Sequence, residues 1–358
     1  MSTQPQLCDI KNADLSVVII TRNEGKNIAR GIESVLRSVA DWPNTEVLLV
    51  DSASTDDTVE IAKRYPIKIV RLQPTWFRSV SAGRHIGMQY SKGELILHMD
   101  GDMELDPQWI ERSVSYMLEH PDVGAVGGHW HNIYMQDGII VGEEDEYRLR
   151  RDTPTEVKYV GGAALYRRSA ILKMGGFQPF IKGEEGVYLS MGIRYAGYKV
   201  VRLPYLMSQH YTIPPQSYAG TLRRVKLGFL VGYGQVLRSY WGTGMFWMYL
   251  KERGLYTVAY LAGILFSILS LLITVLTRNP IFVSGWVLCV VAVILAFAVK
   301  KRSLRKALLS CYIQTCVAYS AVRGFLMPTQ SSAEYPTDAE VVQERDFHEE
   351  VRMEAVPQ

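Results

Sequence analysis

Cysteine is scarce in this 358-residue chain, with four residues at Cys8, Cys289, Cys311 and Cys316. None forms a C-x-x-C pair and no histidine or acid cluster stands near them at zinc spacing, which argues against a metal knuckle and leaves free thiols in a reducing compartment. Two phosphate-binding signatures are also missing. There is no G-x-G-x-x-G after the first apolar run and no G-x-x-x-x-G-K-[ST], so a dinucleotide oxidoreductase and a P-loop ATPase are disfavoured. The opening MSTQPQLCDIKNAD lacks the charged-then-apolar layout of a secretory signal. The net charge of +3, from 39 Lys or Arg against 36 Asp or Glu, says little because the charges are segregated. From Ala219 to Lys306 there are twelve Lys or Arg against one acid, Glu252. From Ala333 to Gln358 there are eight acids against Arg345 and Arg352. A basic middle implies a neighbouring anionic surface, and an acidic end implies a solvated, disordered tail. No nucleic-acid partner is expected.

What the chain does have is apolar residue, 48% of the total, enough for a packed core. The β-branched run Leu15 to Ile20 predicts a buried strand ending in the polar turn Thr21-Arg22-Asn23-Glu24-Gly25. Ile28, Ile32, Val35, Leu36 and Val39 then recur at helical spacing. Strand signals follow at Val47 to Val50, ending at Asp51, and at Ile67 to Leu72, with a helix between them from Thr58 to Arg64. A loop with Trp76 and Phe77 leads into a helix over Ser79 to Ser91, and the run Leu95 to Met99 makes a fourth strand. Strand and helix alternating in this way are βαβ architecture with a mostly parallel sheet.

That fourth strand ends in Asp100-Gly101-Asp102. Two carboxylates one small residue apart at the carboxyl end of a strand can hold a divalent cation, and ligands of open α/β sheets bind at that end. The competing reading is an acidic turn, since Asp and Gly are ordinary turn residues. Asp51 closes a second strand at the same edge. Further on, Val123 to Val126 is a short strand. The charged GEEDEYRLRRD, 142–152, reads as a solvated loop or helix face, and Tyr159 to Leu165 as a strand containing Gly161 and Gly162. After a helix from Arg168 to Met174, Glu184-Glu185 opens a helical stretch, and Tyr198 to Leu203 forms a further strand.

Beyond residue 213 the composition changes. Tyr218, Leu222, Val225 and Phe229 share a helical face beside Arg223, Arg224 and Lys226, a pattern suited to an anionic bilayer surface. Trp241, Phe246, Trp247 and Tyr249 precede two uncharged apolar runs, Leu255 to Leu276 and Ile281 to Val299. At about 1.5 Å per residue each approaches the roughly 30 Å hydrocarbon thickness. Lys300, Lys301, Arg302, Arg305 and Lys306 follow, which by the positive-inside rule puts both ends of this hairpin, and the front domain, on the cytoplasmic face of a membrane. Ala307 to Val322 reads as an interfacial helix or a third span. The expected organisation is a 1–14 extension, a 15–213 catalytic domain, 214–254 interfacial helices, and a 255–299 transmembrane hairpin. A 300–330 basic juxtamembrane segment and a 331–358 disordered tail complete it.

Six segments in order, LSVVIITRNEGKNI, VLLVDSASTDDT, SAGRHIGM, HMDGDMELDP, VGGAALYRRSAIL and GEEGVYLSMGIRYAGYKV, resemble glycosyltransferase family 2, the inverting nucleotide-sugar transferases of the GT-A fold. The resemblance runs from about Leu15 to His210. It implies a Rossmann-like α/β domain, followed here by the transmembrane hairpin, and an Mn²⁺ or Mg²⁺ cofactor with a nucleotide-sugar donor. By resemblance Asp102 is the direct metal ligand, Asp100 binds ribose or supports the metal, and His210 is a third ligand. Asp51 takes the base or ribose and Arg84 the nucleotide or its phosphates. Thr21, Asn23, Glu24 and Gly101 border the same pocket, while Gly161 and Gly162 lie on the acceptor side. The family's catalytic base is the Asp of a Glu-Asp pair. The matching position here is Glu185, preceded by Glu184, so either glutamate is a candidate. Gly83 and His85 replace the family's usual Ala and Asn. Gln235-Val236-Leu237-Arg238 partly matches the Q-x-x-R-W signature of processive synthases, but Ser239 departs from it and two spans cannot enclose a pore.

Transfer of a single sugar to a lipid-linked acceptor, polyprenyl phosphate or a lipid-linked saccharide, is therefore the expected activity, with membrane lipids as partners. The alternatives are a sugar nucleotidyltransferase and a catalytically inactive sugar-nucleotide-binding subunit.

Overall fold

The computed structural model describes residues 10–149, 152–213 and 218–348. The chain forms two compact units, residues 1–214 together with 330–358, and residues 215–329.

The first unit is built on one eleven-stranded sheet. Its parallel centre comprises β1 (Leu15–Thr21), β2 (Thr45–Asp51), β3 (Lys68–Arg71) and β4 (Leu95–Asp100). Helices α1 (Ile28–Val39), α2 (Thr58–Ala62) and α3 (Val80–Tyr90) make the crossovers between these strands. All seven β1 residues are buried, the signature of a strand covered on both faces. Val17 and Ile19 point into one core with α1, while Val18 and Ile20 point into the other with α3, as the two-residue period of a strand requires.

After β4 come β5 (Met103–Leu105), α4 (Trp109–Glu119), β6 (Val123–Gln136), β7 (Ile139–Glu146), β8 (Thr155–Glu156) and β9 (Ala164–Arg167). Then follow α5 (Arg168–Lys173), α6 (Glu185–Tyr195) and β10 (Lys199–Thr212). β9 runs antiparallel to both β4 and β6, β10 lies parallel to β6, and β5 closes that side.

Several elements differ from expectation. β6 and β10 each extend to fourteen residues, because their outer halves zip together from Leu206–His129 to Thr212–Tyr134 although their side chains are too polar to look like core strand. The first part of the charged 142–152 segment is strand β7, paired antiparallel with β6 and mostly exposed. Cross-strand bonds such as Asn132 to Glu146 at 2.9 Å hold it in place. The strand expected at Tyr159 begins only at Ala164.

The acidic end is the largest correction. Residues 330–348 belong to the first unit rather than to a disordered tail. Tyr335 is buried, and strand β11 (Glu340–Gln343) pairs antiparallel with β3. Its acids face solvent or pair, as Glu344 does with Lys68 at 2.9 Å, so the negative charge does not oppose folding. The rest of that expected tail, 349–358, lies outside the described residues, as do residues 1–9 of the expected extension.

The second unit is helical. It comprises α7 (Tyr218–Lys226), α8 (Gly232–Ser239), α9 (Gly244–Tyr249), α10 (Leu255–Thr277), α11 (Ile281–Lys301) and α12 (Leu304–Leu326). A Cβ on Gly234 of α8 would fall on the Ala321 carbonyl oxygen, and one on Gly324 of α12 would fall on that of Val231. Small residues at both places let the backbones touch. α10 and α11 are joined by Ser270 donating to the Phe282 carbonyl at 2.7 Å. Among the described residues these are the two helices long and apolar enough to cross a membrane. Leu265, Phe266, Leu276, Leu288 and Val299 on them are more than half exposed. The expected interfacial segment 307–322 lies within the single longer helix α12.

Candidate active site

The carboxyl ends of β1, β2 and β4 meet at one edge of the sheet, and the turns leaving them carry the polar residues. Asn23 takes a left-handed conformation, φ 58°, which Asn tolerates better than most residues. Its N–H donates to Ser54 Oγ and its Oδ1 accepts from the Thr55 N–H, both at 2.8 Å. Glu24 N–H donates to Thr58 Oγ1 at 2.8 Å, and its carboxylate accepts from Asn27 at 2.8 Å. The β1 turn is thus stitched to the β2 turn. Asp51 is fully buried, with Oδ2 accepting from the Ser54 N–H at 2.9 Å and 3.3 Å from Arg71 Nε. Among the described residues, the buried Asp51 Oδ1 and Thr21 Oγ1 have no hydrogen-bond partner. Such orphaned polar atoms are costly, and an N–H or O–H from a bound molecule would satisfy them. A Cβ on Gly101 would stand 2.7 Å from Thr21 Oγ1, so glycine there keeps β1 and β4 close at their ends.

Arg84 on α3 is the centre of the site. Its side chain is 1% exposed, and it donates from Nη2 to Asp100 Oδ1 at 2.7 Å and from Nη1 to Glu185 Oε1 at 2.8 Å. A planar guanidinium can bridge two carboxylates in this way where a lysine cannot. Burial alone would lower the Arg84 pKa, but Asp100 and Glu185 outweigh it and raise it. A Cβ on Gly162 would land on that guanidinium, and one on Gly161 would press on Trp130. The two glycines therefore leave room for the Arg84 and Trp130 side chains, and Tyr166 donates to the Gly161 carbonyl at 2.9 Å.

Of the two candidate bases, Glu185 at the start of α6 reaches Arg84. Glu184, at φ 63°, forms the left-handed residue before that helix.

Asp102 and His210 face each other, Oδ2 to Nε2 at 3.3 Å. The other ring nitrogen of His210 is 2.8 Å from Asn132 Oδ1, which fixes how the ring is turned. Asn132 in turn donates to Glu146 at 2.9 Å, and Trp130 meets the imidazole edge-on at 5.8 Å. Burial lowers the His210 pKa, but Asp102 more than compensates and the net direction is up. Burial pushes Glu24 up to about 7, with Asn27 opposing and the charges of Asp102 and Asp56 adding. Asp100 is likewise raised, first by desolvation, with Arg84 opposing and Asp102 and Glu185 adding.

The expected metal set Asp100, Asp102 and His210 is not assembled as a ready triad. Among the described residues no three His, Cys, Asp or Glu side chains stand together as one would, because Asp100 Oδ1 is turned to Arg84. The groups still fit a hard cation. Asp102 repels both Glu24 and Asp100, and His210 is drawn to the acids, a surplus of negative charge that oxygen-ligated divalent ions favour.

Sequence reasoning missed Asn132, Glu146, Trp130, Arg71 and Tyr166. The first three lie on the polar halves of β6 and β7, and the alternating HWHNIY was the one signal that could have marked them as strand.

Residues 16–175 match the family model described as glycosyl transferase family 2. Glycosyltransferase AglE of Haloferax volcanii is 30% identical over 37% of this chain and 44% of its own. The dodecaprenyl-phosphate galacturonate synthase of Rhizobium johnstonii is 28% identical over 48% and 54%. The chain thus spans about half the length of these curated relatives. Among solved structures, the mannosyltransferase PcManGT of Pyrobaculum calidifontis, in complex with GDP-Man and Mn²⁺, superimposes with a TM-score of 0.56. It is 18% identical and the match covers 88% of both chains. That likeness is one of fold.

Proposed function

We propose that this chain, which carries a glycosyltransferase family 2 domain, moves one sugar from a nucleotide-sugar donor to a hydroxyl or phosphate of a lipid-linked acceptor, with inversion at the anomeric carbon. The observation that carries this reading is the bridge from Asp100 through buried Arg84 to Glu185. It joins the donor-side carboxylate to a carboxylate on the opposite segment. Inversion needs one base facing the leaving group. Glu185 takes the acceptor proton as the acceptor oxygen bonds to the anomeric carbon, and the bond from that carbon to the diphosphate breaks. The nucleoside diphosphate leaves with the bonding electrons. Arg84 fixes where Glu185 points. Asp51 and Thr21 offer their open acceptor atoms to the nucleoside.

Asp102 and His210, with Asp100 behind them, are the residues that would hold Mn²⁺ or Mg²⁺. The cation would supply charge stabilisation to the departing diphosphate, and the PcManGT complex with Mn²⁺ supports its use.

The lipid-linked acceptor is supported by the polyprenyl-phosphate relative and by the second unit. There α10 and α11 leave their apolar side chains exposed, as bilayer-spanning helices do. A cavity of about 370 Å³ between α9, α10 and α12 is lined by Trp241, Phe246, Val258, Leu261 and Phe325, with Arg253 among them. An apolar slot with one cation suits the chain of an anionic lipid. The basic residues after α11 support a cytoplasmic active site.

The test is a panel of nucleotide sugars, each with Mn²⁺ and with a chelator, offered to membranes containing the chain and a polyprenyl phosphate. Metal-dependent release of free nucleoside diphosphate together with a glycosylated lipid is the expected result. Release of pyrophosphate from a sugar phosphate and a nucleoside triphosphate would instead identify a nucleotidyltransferase. Absence of any turnover would leave a sensor.

A further inference from the structure

Tyr335 lies in the C-terminal segment that returns to the first unit, far in sequence from every residue of the site. Its ring is buried and meets three others nearly edge-on, Trp76 at 5.8 Å, His85 at 5.7 Å and Phe180 at 5.4 Å. Its hydroxyl donates to the Phe77 carbonyl at 2.7 Å. These partners belong to two different segments. Trp76, Phe77 and His85 belong to the loop before α3 and to α3 itself, where His85 is the neighbour of Arg84. Phe180 belongs to the loop that runs into Glu185.

The two segments are also tied directly. Ser79 Oγ donates to the Pro179 carbonyl and Ser81 Oγ to that of Gln178, both at 2.7 Å, and Phe77 packs on Phe180 at 5.5 Å. The returning segment adds a further tie where Gln178 Nε2 donates to the Gln330 carbonyl at 3.1 Å.

What holds Tyr335 in place is stronger than packing alone. Tyr90 donates to the carbonyls of Thr337 and Ala339 at 3.0 and 3.1 Å. β11 then joins the sheet through β3, and Gln343 Nε2 donates to the carbonyls of Tyr65 and Ile67, both at 2.9 Å. The ring is thus a wedge fixed from the sheet edge and inserted where the Arg84 segment meets the Glu185 segment.

We propose that Tyr335 is a positioning residue for the Arg84–Glu185 pair, so that the returning C-terminal segment sets the geometry of the proton-accepting carboxylate. This role rests on the reading of Glu185 as the base. A shift of about 1 Å at a reacting group can cost a hundredfold in rate, and none of the Tyr335 contacts named above is with Asp51, Asp102 or His210 on the donor side.

The test uses the full chain in its membrane. Tyr335→Phe keeps the ring, Tyr335→Leu keeps most of the volume and Tyr335→Ala removes it. Nucleoside diphosphate release gives turnover, and metal-dependent thermal stabilisation by the nucleotide sugar gives donor affinity. Turnover of the Leu variant should fall tenfold or more with donor affinity within about twofold of the parent, while the Phe variant stays near parental turnover. Should the Ala variant not fold, the Leu variant decides. Parental turnover in the Leu variant overturns the role, as does loss of turnover and donor affinity in step with the folded fraction. Glu185→Gln, measured beside them, separates the two levels. If it keeps parental turnover the base reading itself falls and takes this role with it. If it is inactive while the Leu variant is parental, only the role of Tyr335 is lost.

Discussion

Arg84 Nη1 stands 2.8 Å from Glu185 Oε1, across 101 residues of chain. The pair is buried on the arginine side, and removing one partner of a buried pair leaves the other charge uncompensated. Arg84→Ala should therefore destabilise the first unit by about 3–5 kcal/mol, measured by chemical denaturation, and should abolish turnover. Arg84→Lys keeps the charge but cannot reach both carboxylates. It should recover part of the stability and little of the turnover.

Gly162 makes the room that guanidinium occupies. Gly162→Ala puts a methyl group on Arg84, and overpacking of this kind costs about 1–3 kcal/mol. The thermal midpoint should drop and turnover should fall further than stability does, since the displaced group is the bridge itself. Gly138, where nothing lies within 4 Å of an added Cβ, is the contrasting site, although its φ of 81° strains any substitution there.

Glu24 provides a pH test. Its carboxyl is raised from 4.5 to about 7 in the folded chain, so the folded state binds more protons than the unfolded state between those values. Stability contributed by the protonated form is complete below about 4.5 and is lost as pH rises through about 7. At about 1.4 kcal/mol per unit, the loss is at most about 3.5 kcal/mol, and solvent screening of the partly exposed carboxyl makes it smaller. Glu24→Gln should flatten that stretch of the stability curve in metal-free buffer and be more stable than the parent at pH 8. A parental slope in the variant would exclude Glu24 as its source.

His210 and Asp102 test the proposed cation site. His210→Ala should raise the Mn²⁺ concentration needed for half-maximal nucleoside diphosphate release, and Asp102→Asn should raise it further. Removal of the ion by chelation should stop turnover in the parent, and added Mn²⁺ should restore it. Equal Mn²⁺ dependence in parent and both variants would place the ion elsewhere.

The parallel centre of the sheet was legible because β1, β2 and β4 are covered on both faces, and such strands are unbroken apolar runs. The Asp100-Gly101-Asp102 turn stood out for the same reason, as charge directly after such a run. β7 did not, since it carries no inside-outside alternation: Ile139, Ile140 and Val141 are all exposed and acids follow them. The tail failed for a related reason. Its acids dominate the composition, while the residues that dock it are few, Tyr335 and Ala339 in the core and one four-residue strand. The resemblance singled out Arg84 and Glu185 separately. Their contact depends on how α3 and the loop before α6 pack, and no local pattern encodes a contact between residues so far apart.

The position of β11 in the chain has a further consequence during synthesis. β3 would be the outermost strand of that side of the sheet without it, and an unpaired margin invites association with other chains. β11 leaves the ribosome only after the whole apolar hairpin. In a newly made chain that hairpin therefore emerges while the first unit still has an uncovered border. A premature stop just beyond α12 would release a product with every residue of the site but with that border permanently open.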